Sequence, residues 1–166
     1  MDKLVWNKDI FGSKLDIFHG TENVGFIRWQ NMFSGKARAE FNGRIFFLKR
    51  EIFNSRIEIY DSDAKSLLAH VIVSIFNPRT DVIVNGKRFE LEIKNFWQSR
   101  WSWNFNGAEI VTFVSNEFIT REKGDIELYG ACKEEMEILI LLGLFVRNQF
   151  ILLMLFIFVL LLLIVF

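Results

Sequence analysis

The sequence predicts a mainly β fold: an antiparallel β-barrel of about ten to twelve strands around a hydrophobic C-terminal α-helix, followed by a further apolar helix. Three observations predict it. Apolar and polar residues alternate with a period of two through most of the stretch from Lys14 to Gly130. Turn-forming residues interrupt that alternation about every ten positions. The chain then ends in two apolar runs, Ile138 to Val146 and Phe150 to Phe166, parted only by Arg147-Asn148-Gln149.

In chain order, Lys36 to Phe41 alternates perfectly, with Ala37, Ala39 and Phe41 on one face. Leu67, Ala69, Val71, Val73 and Ile75 form a second stripe, Phe89, Leu91 and Ile93 a third, and Trp101, Trp103 and Phe105 a fourth. Successive side chains of a strand point to opposite faces, so each stripe is the inner face of a half-buried strand. Asn42-Gly43, Asn85-Gly86 and Asn106-Gly107 are the dipeptides best able to supply two positive φ angles at a tight hairpin turn. His19-Gly20, Asp61-Ser62-Asp63, Asn77-Pro78 and Lys123-Gly124-Asp125 predict looser turns. Four stretches, 14–29, 37–49, 56–75 and 101–114, share a plan of strand, short turn, strand, which reads as successive hairpins of an up-and-down sheet. Two packed sheets satisfy the same pattern.

Beyond Gly130 the period changes. Glu134, Glu135 and Glu137 suit the positive end of a helix dipole. Ile138 to Val146 is apolar all round and would reach only about 14 Å as a helix, too short for a bilayer core of about 30 Å. It is therefore predicted to plug the barrel. Phe150 to Phe166 would reach about 25 Å and carries no charged side chain. The chain accordingly divides into residues 1–149, a barrel with its central helix over about 134–149, and residues 150–166, a single-pass membrane anchor represented by Phe150, Leu155, Leu160 and Phe166. The competing reading packs 150–166 as a second core helix. Lys133 and Arg147 on the domain side favour a cytoplasmic barrel.

Composition excludes several classes. Twenty basic and twenty acidic residues cancel, so no net charge points to nucleic acid. The single Cys132 forms no internal disulfide, which fits a reducing compartment. Met1 to Asp9 lacks the apolar run of a secretory signal. His19, His70 and Cys132 lack metal-ligand spacing, and no G-x-S-x-G elbow, phosphate loop or dinucleotide fingerprint is present, so no enzyme, cofactor or metal is expected. Cys132 invites acylation near a membrane, or burial at the sheet-to-helix junction.

The hairpin plan from about Leu4 to Gln149, with the run Glu135 to Val146 as plug, resembles the tubby C-terminal-like superfamily, which includes the tubby-like proteins, the LURP-one-related proteins and the phospholipid scramblases. The resemblance implies a twelve-stranded barrel wrapped around a hydrophobic helix and a function at membrane lipid or a membrane protein. The chain departs from it in lacking an N-terminal cysteine cluster and an acidic calcium loop, and in continuing past the plug. The scramblase variant implies lipid transport. The other alternative is a soluble small-ligand barrel with the whole C-terminus internal.

Phe96 to Phe105 is the densest aromatic patch. It offers ligand stacking, a cation–π partner for Arg100 or a membrane-interface contact, against the plainer role of Trp101, Trp103 and Phe105 as barrel wall. Trp97, Arg100, Lys87, Arg88 and Arg147 are the predicted headgroup or partner contacts. Lys36, Arg38 and Lys49 belong to a wider basic set that either gathers into an anionic-lipid site or forms a solvated strand face neutralised by Glu40, Glu51 and Glu90.

Overall fold

The three Asn-Gly pairs form as the sequence predicts. Each places both residues at positive φ, with Asn42 at 48° and Gly43 at 78°, and the pairs at 85–86 and 106–107 alike. That geometry matches the twist of the flanking strands and closes three two-residue hairpins. The computed structural model describes residues 2–9, 12–31, 33–51, 56–73, 79–95, 99–117, 121–130 and 132–165. Asn77-Pro78, Trp97 and Phe166 lie outside the described residues.

Twelve strands are present among the described residues: β1 (Asp2–Asp9), β2 (Lys14–His19), β3 (Glu22–Trp29), β4 (Lys36–Phe41), β5 (Arg44–Glu51), β6 (Arg56–Asp61), β7 (Leu67–Ile72), β8 (Arg79–Val84), β9 (Lys87–Ile93), β10 (Arg100–Phe105), β11 (Ala108–Glu117) and β12 (Arg121–Leu128). Each pairs antiparallel with the next, and β1 pairs with β12 over eight residue pairs, Asp2↔Leu128 to Asp9↔Arg121, so the sheet closes into a barrel with no free edge. The fold is mainly β, as expected.

One element is misread from sequence. Lys123-Gly124-Asp125 is not a turn but the middle of β12, paired with β1 and β11. Gly124 is there for close approach. A Cβ on it would lie 2.2 Å from the Val114 carbonyl oxygen and 2.7 Å from two Trp6 ring atoms. The Leu67 stripe also breaks: Leu67 is exposed while Ala69 and Val71 are buried, because the register shifts between Ile59 and Tyr60 opposite it.

The interior is filled by a single helix, α1 (Met136–Val165). Leu139, Ile140, Leu141 and Leu142 are fully buried, so the barrel holds a packed core rather than a cavity. The Trp103 indole N–H donates to the Leu139 carbonyl at 2.8 Å. Gly143 lets the helix touch the wall, since a Cβ there would meet Phe113 ring carbons at 2.5 and 2.7 Å.

The two expected apolar helices are thus one. Arg147-Asn148-Gln149 continues it rather than breaking it, because all three are good enough helix formers and find partners on the wall. Burial nevertheless changes at this point. Phe150, assigned to the anchor from sequence, belongs to the core at 7 % exposure. Ile151 to Leu153 are half-buried, and Met154 to Ile164 stand exposed outside the barrel.

Candidate membrane-facing site

The end of the barrel from which α1 leaves carries two features, a buried ionic collar and a basic groove on the outer wall. The collar surrounds the helix. Arg147 approaches Glu122 of β12 at 2.7 Å, with both side chains under a tenth exposed. Its aligned hydrogen bond goes instead to Ser115 Oγ at 3.0 Å, so the Glu122 contact is mainly one of charge. The guanidinium lies 4.8 Å from the Trp101 ring centroid and 5.8 Å from that of Trp6. Lys8 of β1 donates to Asn148 Oδ1 at 2.5 Å and sits over Trp29. Arg50 of β5 donates to Gln149 Oε1 at 3.3 Å.

Burial pulls the Lys8 ammonium below its usual range, while Glu122 acts to raise it. Burial likewise pushes the Glu122 carboxyl up, against the two cations. The polar triplet in the helix is therefore met, in part, by residues near the ends of β1, β5 and β11 and near the start of β12, while Arg147 Nε, Asn148 Nδ2 and Gln149 Nε2 stay buried without a hydrogen-bond partner. It is a packed seal, not an open site. Arg147, predicted from sequence as a headgroup or partner contact, is buried and turned to the wall.

The groove has a volume of ≈ 580 Å³ and lies over β3 to β6. Arg28 and Arg38 are direct cross-strand partners, and so are Lys36 and Lys49. All four line it, with Phe47 and Tyr60 completing the row Arg28, Arg38, Phe47, Tyr60 across four strands. Like charges directly opposite in a sheet repel. Lys49 is met by Glu51 at 3.3 Å, but Arg28, Arg38 and Lys36 have no ion pair among the described residues. Lys36 opens β4 at the helix-exit end, and Arg38 stands two residues, about 6.6 Å, further along the wall. The groove therefore begins at the rim.

Comparison with family models, with curated proteins and with solved structures returned no match.

The contacts expected from sequence are not brought together. Lys87 pairs with Glu135 at 3.0 Å and helps cap the start of α1, at the barrel end opposite the helix exit. Arg88 pairs with Asp81 on the outer wall. Arg100 opens β10 at the exit end and lies 3.6 Å from Glu109. Trp101 and Trp103 line the interior, at 2 % and 0 % exposure, and Cys132 packs against the core. Leu155 and Leu160 lie on the exposed half of α1, each 42 % exposed. The groove's Arg28 was missed altogether. The signal for the rest was present: the Asn42-Gly43 hairpin fixes Lys36 opposite Lys49.

Proposed function

We propose that this chain is a non-enzymatic, membrane-tethered binding module. The exposed half of α1 inserts into a bilayer, and the groove on β3 to β6 takes the phosphorylated headgroup of an anionic lipid. The observation that carries the reading is the groove itself. Two like-charged cross-strand pairs stand side by side at the rim from which an apolar helix leaves. Such an arrangement costs stability unless an anion bridges it. The helix from Met136 to Ile164 is long and apolar enough to cross a membrane; its part up to Phe150 is barrel core, and Met154 to Ile164 is the part exposed to enter a bilayer. The closed twelve-strand barrel around an apolar helix supports the tubby-like resemblance, and the cations beside the span support a cytoplasmic barrel.

A membrane protein with an acidic face is the alternative partner for the same groove. Lipid transport fits less well, because residues 151–165 offer no polar track for a headgroup. A wholly internal C-terminus does not fit an exposed Met154 to Ile164.

The test uses the full chain in phosphatidylcholine nanodiscs, titrated calorimetrically with a water-soluble short-chain phosphoinositide. Arg38→Glu should abolish the binding heat, and Arg88→Ala, remote from the groove, should leave it. Unchanged binding by Arg38→Glu refutes the reading.

A further inference from the structure

Every even-numbered strand opens on a cation. These are Lys14, Lys36, Arg56, Arg79, Arg100 and Arg121, at the first residues of β2, β4, β6, β8, β10 and β12. In a closed antiparallel barrel whose strands follow chain order, all even strands start at one end. That end is the one from which α1 leaves, since the Lys8, Arg50 and Ser115 contacts to Asn148, Gln149 and Arg147 lie there. Six cations thus recur on alternate strands around the mouth. The opposite end has no such rule, because the odd strands open on Asp2, Glu22, Arg44, Leu67, Lys87 and Ala108.

The sequence repeats with the same period. Three residues before each of these cations stands an aromatic: Phe11, Phe33, Phe53, Phe76, Trp97 and Phe118. Phe33 is among the described residues and is 72 % exposed, its N–H held by Asn31 Oδ1 at 3.0 Å. A single exposed Phe would mean little. A sequence that sets an aromatic three residues before each strand-opening cation, at the barrel end from which an exposed apolar helix leaves, has the mixed aromatic and basic composition of a membrane interface.

We propose that the helix-exit rim, with its six strand-opening cations and exposed Phe33, is a docking ring for the surface of an anionic lipid bilayer. The occupant follows from continuity. Helix α1 carries its exposed apolar residues, Met154 to Ile164, out through the centre of this ring, so whatever solvates the helix meets the ring. By strand ends, six cations open the even strands at the rim and three acids, Asp9, Glu51 and Glu117, close odd ones there. Lys14 pairs with Asp16 at 2.5 Å and Arg56 with Glu58 at 2.9 Å, both within a strand, and Arg100 lies 3.6 Å from Glu109, whereas Lys36 has no ion pair among the described residues. The ring differs from the groove: the groove selects one headgroup, while the ring sets how deep and how level the barrel sits. It rests on the reading of α1 as the membrane tether.

The test keeps the full chain and the two readings apart. With Cys132→Ser removing the native thiol, nitroxide labels are placed singly at Phe33→Cys, at His19→Cys on the opposite end, and at Leu160→Cys. The protein is reconstituted into vesicles with and without phosphatidylserine, and accessibility to oxygen and to a water-soluble nickel chelate gives the depth of each label. The label at 160 should lie in hydrocarbon, that at 33 at headgroup depth in anionic vesicles, and that at 19 in water. Reversing Lys14 and Arg100 to Glu, neither of which lines the groove, should shift the label at 33 back towards its aqueous value. A label at 33 as aqueous as that at 19, with 160 in lipid, overturns the ring and leaves the tether standing. An aqueous label at 160 overturns both. Equal depth at 33 in neutral and anionic vesicles overturns the role of the cations.

Discussion

Removing Glu122 should harm this protein more than removing Arg147. Three charged groups share the collar, two cations and one carboxylate, so the two deletions leave different residues behind. Arg147→Met leaves Lys8 and Glu122, which still attract one another. Glu122→Gln leaves Lys8 and Arg147, two buried cations with no counter-charge, and Arg147 also disfavours the charged form of Lys8. Breaking a buried pair costs about 3–5 kcal/mol, and Glu122→Gln should fall at the upper end of that range with Arg147→Met at the lower. The double variant should recover part of the loss, since only Lys8 then remains and it already donates to Asn148 at 2.5 Å. Denaturant melts of the detergent-solubilised full chain measure all three. The pH dependence adds a second check. Burial already lowers the folded Lys8 pKa, so the unfolded chain binds the extra proton, and stability rises with pH from that lowered value up to the ordinary lysine range. Glu122→Gln should strengthen that alkaline recovery. An equal or smaller loss for Glu122→Gln, or a loss that does not ease with rising pH, would refute the reasoning.

Arg38→Glu should raise stability while abolishing headgroup binding, because it turns a repulsive pair with Arg28 into an attractive one worth about 0.2–1 kcal/mol; melts and calorimetry on one sample read the two signs. Gly143→Leu should cost about 1–3 kcal/mol by overpacking against Phe113 and Trp103, outweighing the helix propensity of about 1 kcal/mol that leucine brings, as a denaturant midpoint would show. Burial works to raise the Glu135 carboxyl, but hydrogen bonds from Lys87 and Asn85 hold it below the usual range. Its contribution is therefore present above the ordinary glutamate pKa and lost as pH falls through the lowered folded value, and Glu135→Gln should flatten that acid limb of the stability profile.

How much of this was legible differs from element to element. The hairpin at Asn42-Gly43 pairs Phe41 with Arg44, and counting outward pairs Lys36 with Lys49 and Arg38 with Phe47, as found. The same counting fails at Asn106-Gly107, where the register shifts between Trp103 and Asn104. No turn dipeptide announces a bulge. The Arg28–Arg38 pair is hidden for another reason: β3 and β4 are joined by the six residues 30–35, whose geometry fixes the register but carries no Asn-Gly signal. Gly124 was misread because a glycine in a strand and a glycine in a turn look alike until Trp6 is seen against it. The plug was legible because nine residues apolar on every face admit few environments. That it continues unbroken through Arg147-Asn148-Gln149 was not, because three polar residues between apolar runs look like a break until Glu122, Lys8, Ser115 and Arg50 are found to receive them.

The continuity of α1 changes what a tether does. An anchor joined by a flexible linker would leave the barrel free to tumble above the membrane, and a wall groove would face the bilayer only part of the time. Here the same helix is core over Ile138 to Phe150 and exposed from Met154 onward, with no residue between them outside helical geometry. The barrel can move relative to the exposed segment only by bending that helix or breaking the collar. The Arg147–Glu122 and Lys8–Asn148 contacts therefore act as a rotational lock as well as a seal, fixing which strands stand at which azimuth around the helix axis. For a binding groove on one side of the wall this matters, since Lys36 and Arg38 reach a headgroup only if the barrel is held at a constant height. A glycine pair introduced at Ile151 and Leu152 would keep the groove, the ring and the apolar segment but loosen the joint. It should weaken binding to a phosphoinositide embedded in the nanodisc bilayer while leaving membrane partition, and binding of the water-soluble short-chain lipid, intact. Binding that survives the loosened joint would mean that the rigid helix serves the core alone.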